Sequence, residues 1–209
     1  MTTAMTSAAQ PLIMELDSVL SRAPAAWRGT TLRRLTDLFL LDAASYSDDQ
    51  VAVFDDVISR LIEKIERRTL VELSNKLAQV ENAPIKVVGT LAHHSDMLVA
   101  GPLLEKSNVL TDADLVEIAD KDRKDPALLS AIAARPRLSE AVTEVLIRRG
   151  NAAIARRIIG NSNARISEAS FARMVTSIEN DKELAAAIGK REDLPPELRP
   201  WIDVALAAE

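Results

Sequence analysis

The side chains best suited to recognition chemistry in this sequence are arginines, and eight of them fall between residues 135 and 173. Three acids and no lysine share that segment, so it carries a charge of +5 while the rest of the 209-residue chain carries −10. A guanidinium group is planar and presents paired donors, which suits bidentate recognition of carboxylate or phosphate. We predict a partner-binding patch made of Arg135, Arg137, Arg148, Arg149, Arg156, Arg157, Arg165 and Arg173.

Three interpretations of these arginines are open from the sequence. They offset helix dipoles and pair with acids of neighbouring helices, they contact an acidic protein partner, or they bind nucleic acid or a phosphorylated ligand. Phe171 is the one aromatic residue in the segment, which disfavours the stacking of bases. The net charge of −5 also argues against a chain that binds nucleic acid over its whole surface.

Other candidate sites are weaker. His93 and His94 are the two histidines of the chain, and adjacent helical residues point about 100° apart, which makes them poor joint metal ligands. The acid pairs Asp48–Asp49 and Asp55–Asp56 fall at predicted helix starts or on polar helix faces, where the helix dipole accounts for them. The charged run 120–125 lacks the glycine and the final glutamate of a calcium-binding loop.

The composition removes several further classes of site. The chain has no cysteine, which excludes disulfides, thiol nucleophiles and zinc sites built on thiolates. Its six glycines form no phosphate-binding motif, and no serine lies in a nucleophile elbow. The sequence therefore predicts a protein that is not an enzyme, with no catalytic residue, no metal and no cofactor.

The apolar residues predict an all-α fold. Aromatic residues make up 3% of the chain, and most of the apolar 47% is Ala, Leu, Ile and Val, of which Ala and Leu are strong helix formers. We expect a disordered N-terminus over residues 1–11 and an N-terminal helical bundle over residues 12–82. The predicted helices of the bundle are residues 12–21, residues 30–41 and a helix that starts after Ser47 and runs to Arg67 or Arg68. Residues 70–80 continue the helical pattern, either directly or after a kink.

A repeat of 28 residues marks the second part of the chain. The aliphatic residues that recur at this interval are Leu110, Leu138, Ile166 and Leu194. The residues that follow them, Thr111, Ser139, Ser167 and Pro195, are typical of helix starts. Gly150 and Gly160 lie where helices are expected to stop.

This pattern predicts an α-solenoid of short helix–turn–helix units over residues 83–209. After residues 83–94, which are expected to form one joining helix, Asp96 starts the first full unit. One continuous structural unit with the bundle is also possible. The alternative is an irregular helical bundle in which the spacing is a coincidence.

Four short runs resemble a known family. They are residues 35–40 (LTDLFL), 53–57 (VFDDV), 99–103 (VAGPL) and 138–142 (LSEAV). Together they resemble an uncharacterised bacterial family of unknown function, known mainly from alphaproteobacteria, over about residues 30–200. Residues 135–140 and 192–198 resemble the turns of leucine-rich-variant repeats, and the repeats as a whole look HEAT-like. Proteins with such repeats mostly bind other macromolecules, although a fold does not determine a function.

We therefore expect a non-enzymatic, protein-binding scaffold or adaptor with a regulatory role, which uses the surface of its helical repeats. The alternative is a nucleic-acid-binding protein similar to the HEAT-like-repeat DNA glycosylases, which would need the arginines on one concave face. Residues 1–10 lack the basic and apolar regions of a signal peptide, and no apolar run approaches the length of a membrane span. The expected location is the cytoplasm, with no membrane contact.

Overall fold

The computed structural model describes residues 24–63, 65–121, 126–178 and 181–207. Within these residues the chain forms twelve α-helices, two short 3-10 helices and no β-strand, so the all-α prediction is confirmed. The α-helices are α1 (Ala25–Leu41), α2 (Asp48–Ile62), α3 (Arg67–Leu77), α4 (Ile85–Ala92), α5 (Met97–Lys106), α6 (Asp112–Asp120), α7 (Pro126–Ala133), α8 (Glu140–Arg149), α9 (Ala152–Ile159), α10 (Glu168–Thr176), α11 (Lys182–Gly189) and α12 (Arg199–Ala207). The 3-10 helices are Ala43–Ser45 and Pro196–Leu198.

Several predicted helix boundaries in the N-terminal part are wrong. Helix α1 begins at Ala25, directly after Pro24, rather than at residue 30. Helix α2 ends at Ile62 instead of running to Arg67 or Arg68, and α3 begins after Glu66, whose backbone is extended. The break lets α2 pack against α1 and α4 while α3 packs against α1 and α5, so tertiary packing overrides the continuous helical pattern. The predicted helix 12–21 and the predicted disorder of residues 1–11 lie outside the described residues.

The predicted helix starts are confirmed where hydroxyl side chains cap them. Ser47 forms a capping box with Gln50 at the start of α2, and Thr111 forms one with Asp114 at the start of α6. Ser139 and Ser167 accept backbone N–H donors of α8 and α10. Each hydroxyl satisfies an amide that the first helical turn would otherwise leave unpaired.

The residues spaced by 28 all face the core. Leu110, Leu138, Ile166 and Leu194 are buried, each with 8% or less of its surface exposed. The residues eight positions later are buried as well, and these are Ile118, Leu146, Met174 and Ile202. Helices α8 and α9 end at Gly150 and Gly160, as their glycines predict.

The helices pack in order along the chain. In the part of the chain that the structure describes, every substantial contact between α-helices joins helices that are one or two positions apart. The odd-numbered helices α1 to α11 contact one another in sequence, and α2 contacts α4, α6 contacts α8, and α8 contacts α10. The loops that leave the odd-numbered helices from α5 onward are joined to one another by the hydrogen bonds described below.

One cluster of buried apolar side chains extends from Leu32 to Ile202 and includes Ala83. The division of the chain at residue 83 remains a prediction. Among the described residues, no helix is long and apolar enough to cross a membrane.

Candidate partner-binding surface

Two of the predicted arginines end α8 and bind the end of α6. Arg148 places Nη2 3.0 Å from Oδ1 of Asp120. Arg149 donates to the backbone carbonyls of Asp120 and Lys121, the second at 2.8 Å. Cations at this point oppose the negative C-terminal end of α6 and satisfy carbonyls that the helix leaves free. These two arginines therefore join neighbouring helices.

The next pair lies in the last turn of α9. Arg156 places Nη2 2.6 Å from Oδ2 of Asp181, and Asp181 accepts the Leu184 N–H at the start of α11. The Leu184 N–H, together with Arg156, holds the pKa of Asp181 below its usual range. Arg157 donates from Nη1 to the Ser130 carbonyl of α7 at 3.0 Å. This pair thus links α9 to the helices on both of its sides.

Arg135 is partly buried and has a structural role. Its guanidinium donates to the carbonyls of Leu104 at 2.8 Å and Ser107 at 2.7 Å, at the end of α5. Its own carbonyl accepts the Asn161 side-chain amide at 2.9 Å. Burial lowers the pKa of Arg135 from its usual value. The Arg135 side chain therefore connects its own loop, which follows α7, to the end of α5.

Arg191 repeats this arrangement one loop further on. Its guanidinium donates to the carbonyls of Ile159, Asn161 and Ala164 at 2.9 to 3.1 Å. Hydrogen bonds therefore join four successive loops, from Ser107 through the loops of Arg135 and Asn161 to the loop of Arg191. The sequence analysis missed Arg191 because it lies outside the arginine-rich segment. The available signal was an arginine three residues before both Leu138 and Leu194.

Three predicted arginines remain exposed. Within the described part of the chain, Arg137, Arg165 and Arg173 have no ion pair and no side-chain hydrogen bond. An isolated parallel bridge pairs Leu138 with Ala164, and the Arg165 N–H donates to the Leu138 carbonyl at 2.9 Å.

This bridge brings two of the three exposed arginines together. Side chains alternate along extended backbone, and Leu138, Ala164 and Ile166 are buried. Arg137 and Arg165 must therefore both point to solvent on the same side. Arg173 lies apart from them, on helix α10.

A groove adjoins Arg137. It has a volume of about 610 Å³ and lies where α3, α5 and α7 end. Its polar lining includes Gln79, Lys106, Asn108 and Arg137, and Glu105 contributes the one acid among the lining residues. The groove offers amide and cationic donors next to the exposed arginine.

The sequence pattern of a family described as "Uncharacterised protein conserved in bacteria (DUF2336)" matches residues 99–202. Residues 99–202 of the chain therefore belong to this family. No curated protein and no solved structure matches the chain. The DUF2336 region is narrower than the range of about 30–200 over which the resemblance was expected. It nevertheless contains the four aliphatic residues spaced by 28 and all eight predicted arginines.

Within the DUF2336 region, a second series of caps escaped the sequence analysis. Asn151 accepts the Ile154 N–H at the start of α9, and Asp181 accepts the Leu184 N–H at the start of α11. Each cap precedes a buried aliphatic residue by three positions. Asp96, just before the region, precedes the buried Val99 at its start by the same interval. The intervals between these caps vary, so a search for a fixed period of 28 does not find them.

Asp55 and His94, which lie outside the DUF2336 region, have structural roles, and Asp55 is buried rather than on a polar helix face as predicted. Asp55, with 5% of its surface exposed, accepts the N–H groups of Lys86 and Val87 at 2.9 Å each. It thereby caps α4 across the core, since the N-cap residue of that helix is a proline without a side-chain acceptor. His94 accepts the Asp96 N–H at 3.0 Å. Among the described residues, no group of three or more His, Cys, Asp or Glu side chains is placed to hold a metal ion.

Proposed function

We propose that this protein is a non-enzymatic, protein-binding scaffold or adaptor built on an α-solenoid of HEAT-like helix–turn–helix units. The observation that carries the proposal is the serial packing, in which helices contact those one or two positions away. Units of this kind bury their apolar faces only against their neighbours, and stacking them creates extended surfaces for partners. A stack held by hydrogen bonds between successive loops is well suited to present such a surface in one conformation.

The contacts of the arginines favour a protein partner over nucleic acid. Five of the eight predicted arginines bind carbonyls or acids of neighbouring helices, and the remaining three are too few for a basic face. Phe171 is fully buried and therefore cannot stack on a base. Exposed apolar area is also present, since Trp201 and Val204 on α12 are each about two thirds exposed, at 66% and 67%. Tryptophan is enriched at protein interfaces.

The test is reconstitution of a complex from two purified proteins. Proteins captured by the full chain in its native host are purified separately and titrated against it by calorimetry. A saturable complex of fixed stoichiometry supports the scaffold. Failure of every captured protein to bind the purified chain contradicts it.

Nucleic acid is the alternative partner, and a salt titration distinguishes it from a protein partner. Counterion release makes nucleic-acid binding fall steeply as salt rises. If the chain binds duplex DNA more tightly than any captured protein, and this binding weakens steeply with salt, the scaffold proposal is replaced by a nucleic-acid-binding function.

A further inference from the structure

Among the described residues, the side chains of Arg137 and Arg165 make no contact that holds the fold together. The five paired arginines connect neighbouring helices, whereas the side chains of these two are exposed and have no partner in the described part of the chain. The loops that carry them, residues 134–139 and 160–167, contain no acid. No carboxylate within either loop therefore neutralises the two guanidinium groups.

The bridge between the loops sets the spacing of these arginines. Leu138 and Ala164 face each other across the bridge. Arg137 is one residue before Leu138 on its strand, whereas Arg165 is one residue after Ala164 on the other strand. With strands about 4.8 Å apart and a rise of about 3.3 Å per residue, the two Cα atoms lie roughly 8 Å apart. Both side chains point to solvent on the same side, so they form an arginine pair of defined spacing.

An extended acidic peptide matches this spacing. In extended backbone, residues i and i+2 lie on the same side and about 6.6 Å apart. We propose that the arginine pair Arg137–Arg165 binds an extended acidic segment of a partner protein, with carboxylates at positions i and i+2. Each carboxylate accepts two N–H groups of one guanidinium. The proposal rests on the proposed scaffold function and names the chemistry of its partner.

The surroundings favour a short acidic segment over a nucleic-acid strand. The groove beside Arg137 offers amide donors from Gln79 and Asn108 to the backbone of a peptide. Glu105 is the one acid among the residues that line this groove, and a chain of phosphates laid along the groove would meet its carboxylate. The loops of the pair contain no aromatic side chain on which a base could stack.

Fluorescence anisotropy with the full chain and a labelled peptide of four Glu-Thr repeats tests the proposal. The control peptide has the same composition, with the glutamates in adjacent pairs so that none are two residues apart. We expect the alternating peptide to bind about threefold more tightly, because only its carboxylates match the arginine spacing. Equal binding of the two peptides, or no binding of the alternating one, would overturn the proposal.

Charge-reversed variants locate the site. The double variant Arg137→Glu with Arg165→Glu should weaken binding of the alternating peptide by about tenfold or more. Arg173→Glu is the matched control, since Arg173 is also exposed and unpaired but lies on α10, and it should change the affinity by less than about twofold. An equal loss in both variants would show a non-specific charge effect and overturn the proposal. If the charge-reversed protein fails to fold by circular dichroism, Arg137→Gln with Arg165→Gln takes its place.

Single-stranded DNA is the competing ligand. Tighter binding of DNA than of the peptide at physiological salt, abolished by the same double variant, would assign the arginine pair to nucleic acid instead. If purified partners bind the chain but neither the peptides nor the double variant give the expected results, the proposal for the arginine pair is wrong and the scaffold proposal remains supported. If no partner can be reconstituted, the scaffold proposal fails as well.

Discussion

At the scale of single residues, Asp96 shows how one carboxylate serves two helices. It accepts the Leu98 N–H at 3.0 Å and so caps α5, and it receives the guanidinium of Arg67 from the start of α3. The hydrogen bond from Arg67, followed by that from Leu98, lowers the pKa of Asp96 to about 2. The aspartate was recognised in the sequence as a helix start, but its partner lies 29 residues away in another helix.

The low pKa of Asp96 predicts a specific loss of stability in acid. A carboxyl whose pKa is depressed by folding stabilises the protein above its unfolded value of 3.8, and this contribution is lost as the pH falls through about 2. Asp96→Asn keeps a capping oxygen and removes the charge, so its stability should depend less on pH in this window. Urea unfolding of wild type and variant between neutral pH and pH 2 measures the difference. Arg67→Gln should also reduce the pH dependence of the free energy of unfolding in this range. If both variants keep the pH dependence of the wild type, the low pKa of Asp96 does not stabilise the fold.

At the scale of the helices, Gly150 separates two short elements that pack closely. It ends α8, and its N–H donates to the Leu146 carbonyl at 2.7 Å. A Cβ at this position would lie 2.5 Å from that carbonyl oxygen and 3.0 Å from Cγ2 of Ile154. The tight approach of α9 to the end of α8 thus requires the absence of a side chain.

Gly150→Ala should therefore destabilise the protein by about 2 kcal/mol, because the backbone of α8 must shift to admit the methyl group. Gly160→Ala is the matched control. Gly160 ends α9 in a right-handed helical conformation, and its Cβ would meet nothing closer than 3.3 Å. The control should change the free energy of unfolding by less than about 0.5 kcal/mol. Similar losses for both substitutions in urea unfolding would refute the tight packing at Gly150.

At the scale of the whole molecule, stability should be local because contacts are local. Helices contact those one or two positions away, and loops are joined to the next loop by side chains such as Arg135 and Arg191. A structure of this kind has a free energy that is approximately a sum over units and their interfaces. A change at one end is then felt mainly by its neighbours.

Arg191→Ala tests this locality. It leaves the carbonyls of Ile159, Asn161 and Ala164 without their donor, which should increase amide hydrogen exchange in α9 to α12 and leave α1 to α4 unchanged. Mass spectrometry of exchanged peptides measures the effect. Arg173→Ala, at an exposed arginine without such contacts, should have little effect anywhere. Faster exchange along the entire chain would show global rather than serial coupling.

The sequence by itself determined the class of fold and much of its register. Helix propensity, capping and apolar periodicity act over a few residues, so Thr111, Ser139 and Ser167 mark helix starts and Leu110 to Leu194 mark buried positions without knowledge of the fold. The same local signals failed between Ile62 and Arg67, where a continuous pattern is broken because α2 and α3 must face different neighbours.

Only the tertiary structure decided what each arginine does. Arg148 and Arg165 are alike in the sequence, as members of one basic segment, yet one binds Asp120 and the other is free in the described part of the chain. The difference depends on which carbonyls and carboxylates a neighbouring helix brings within about 3 Å of each guanidinium. Because hydrogen bonds form only at such short distances, the net charge of a segment does not predict which arginines are paired. Charge along a chain therefore identifies a basic region, whereas the packing of helices determines which of its cations remain for a partner.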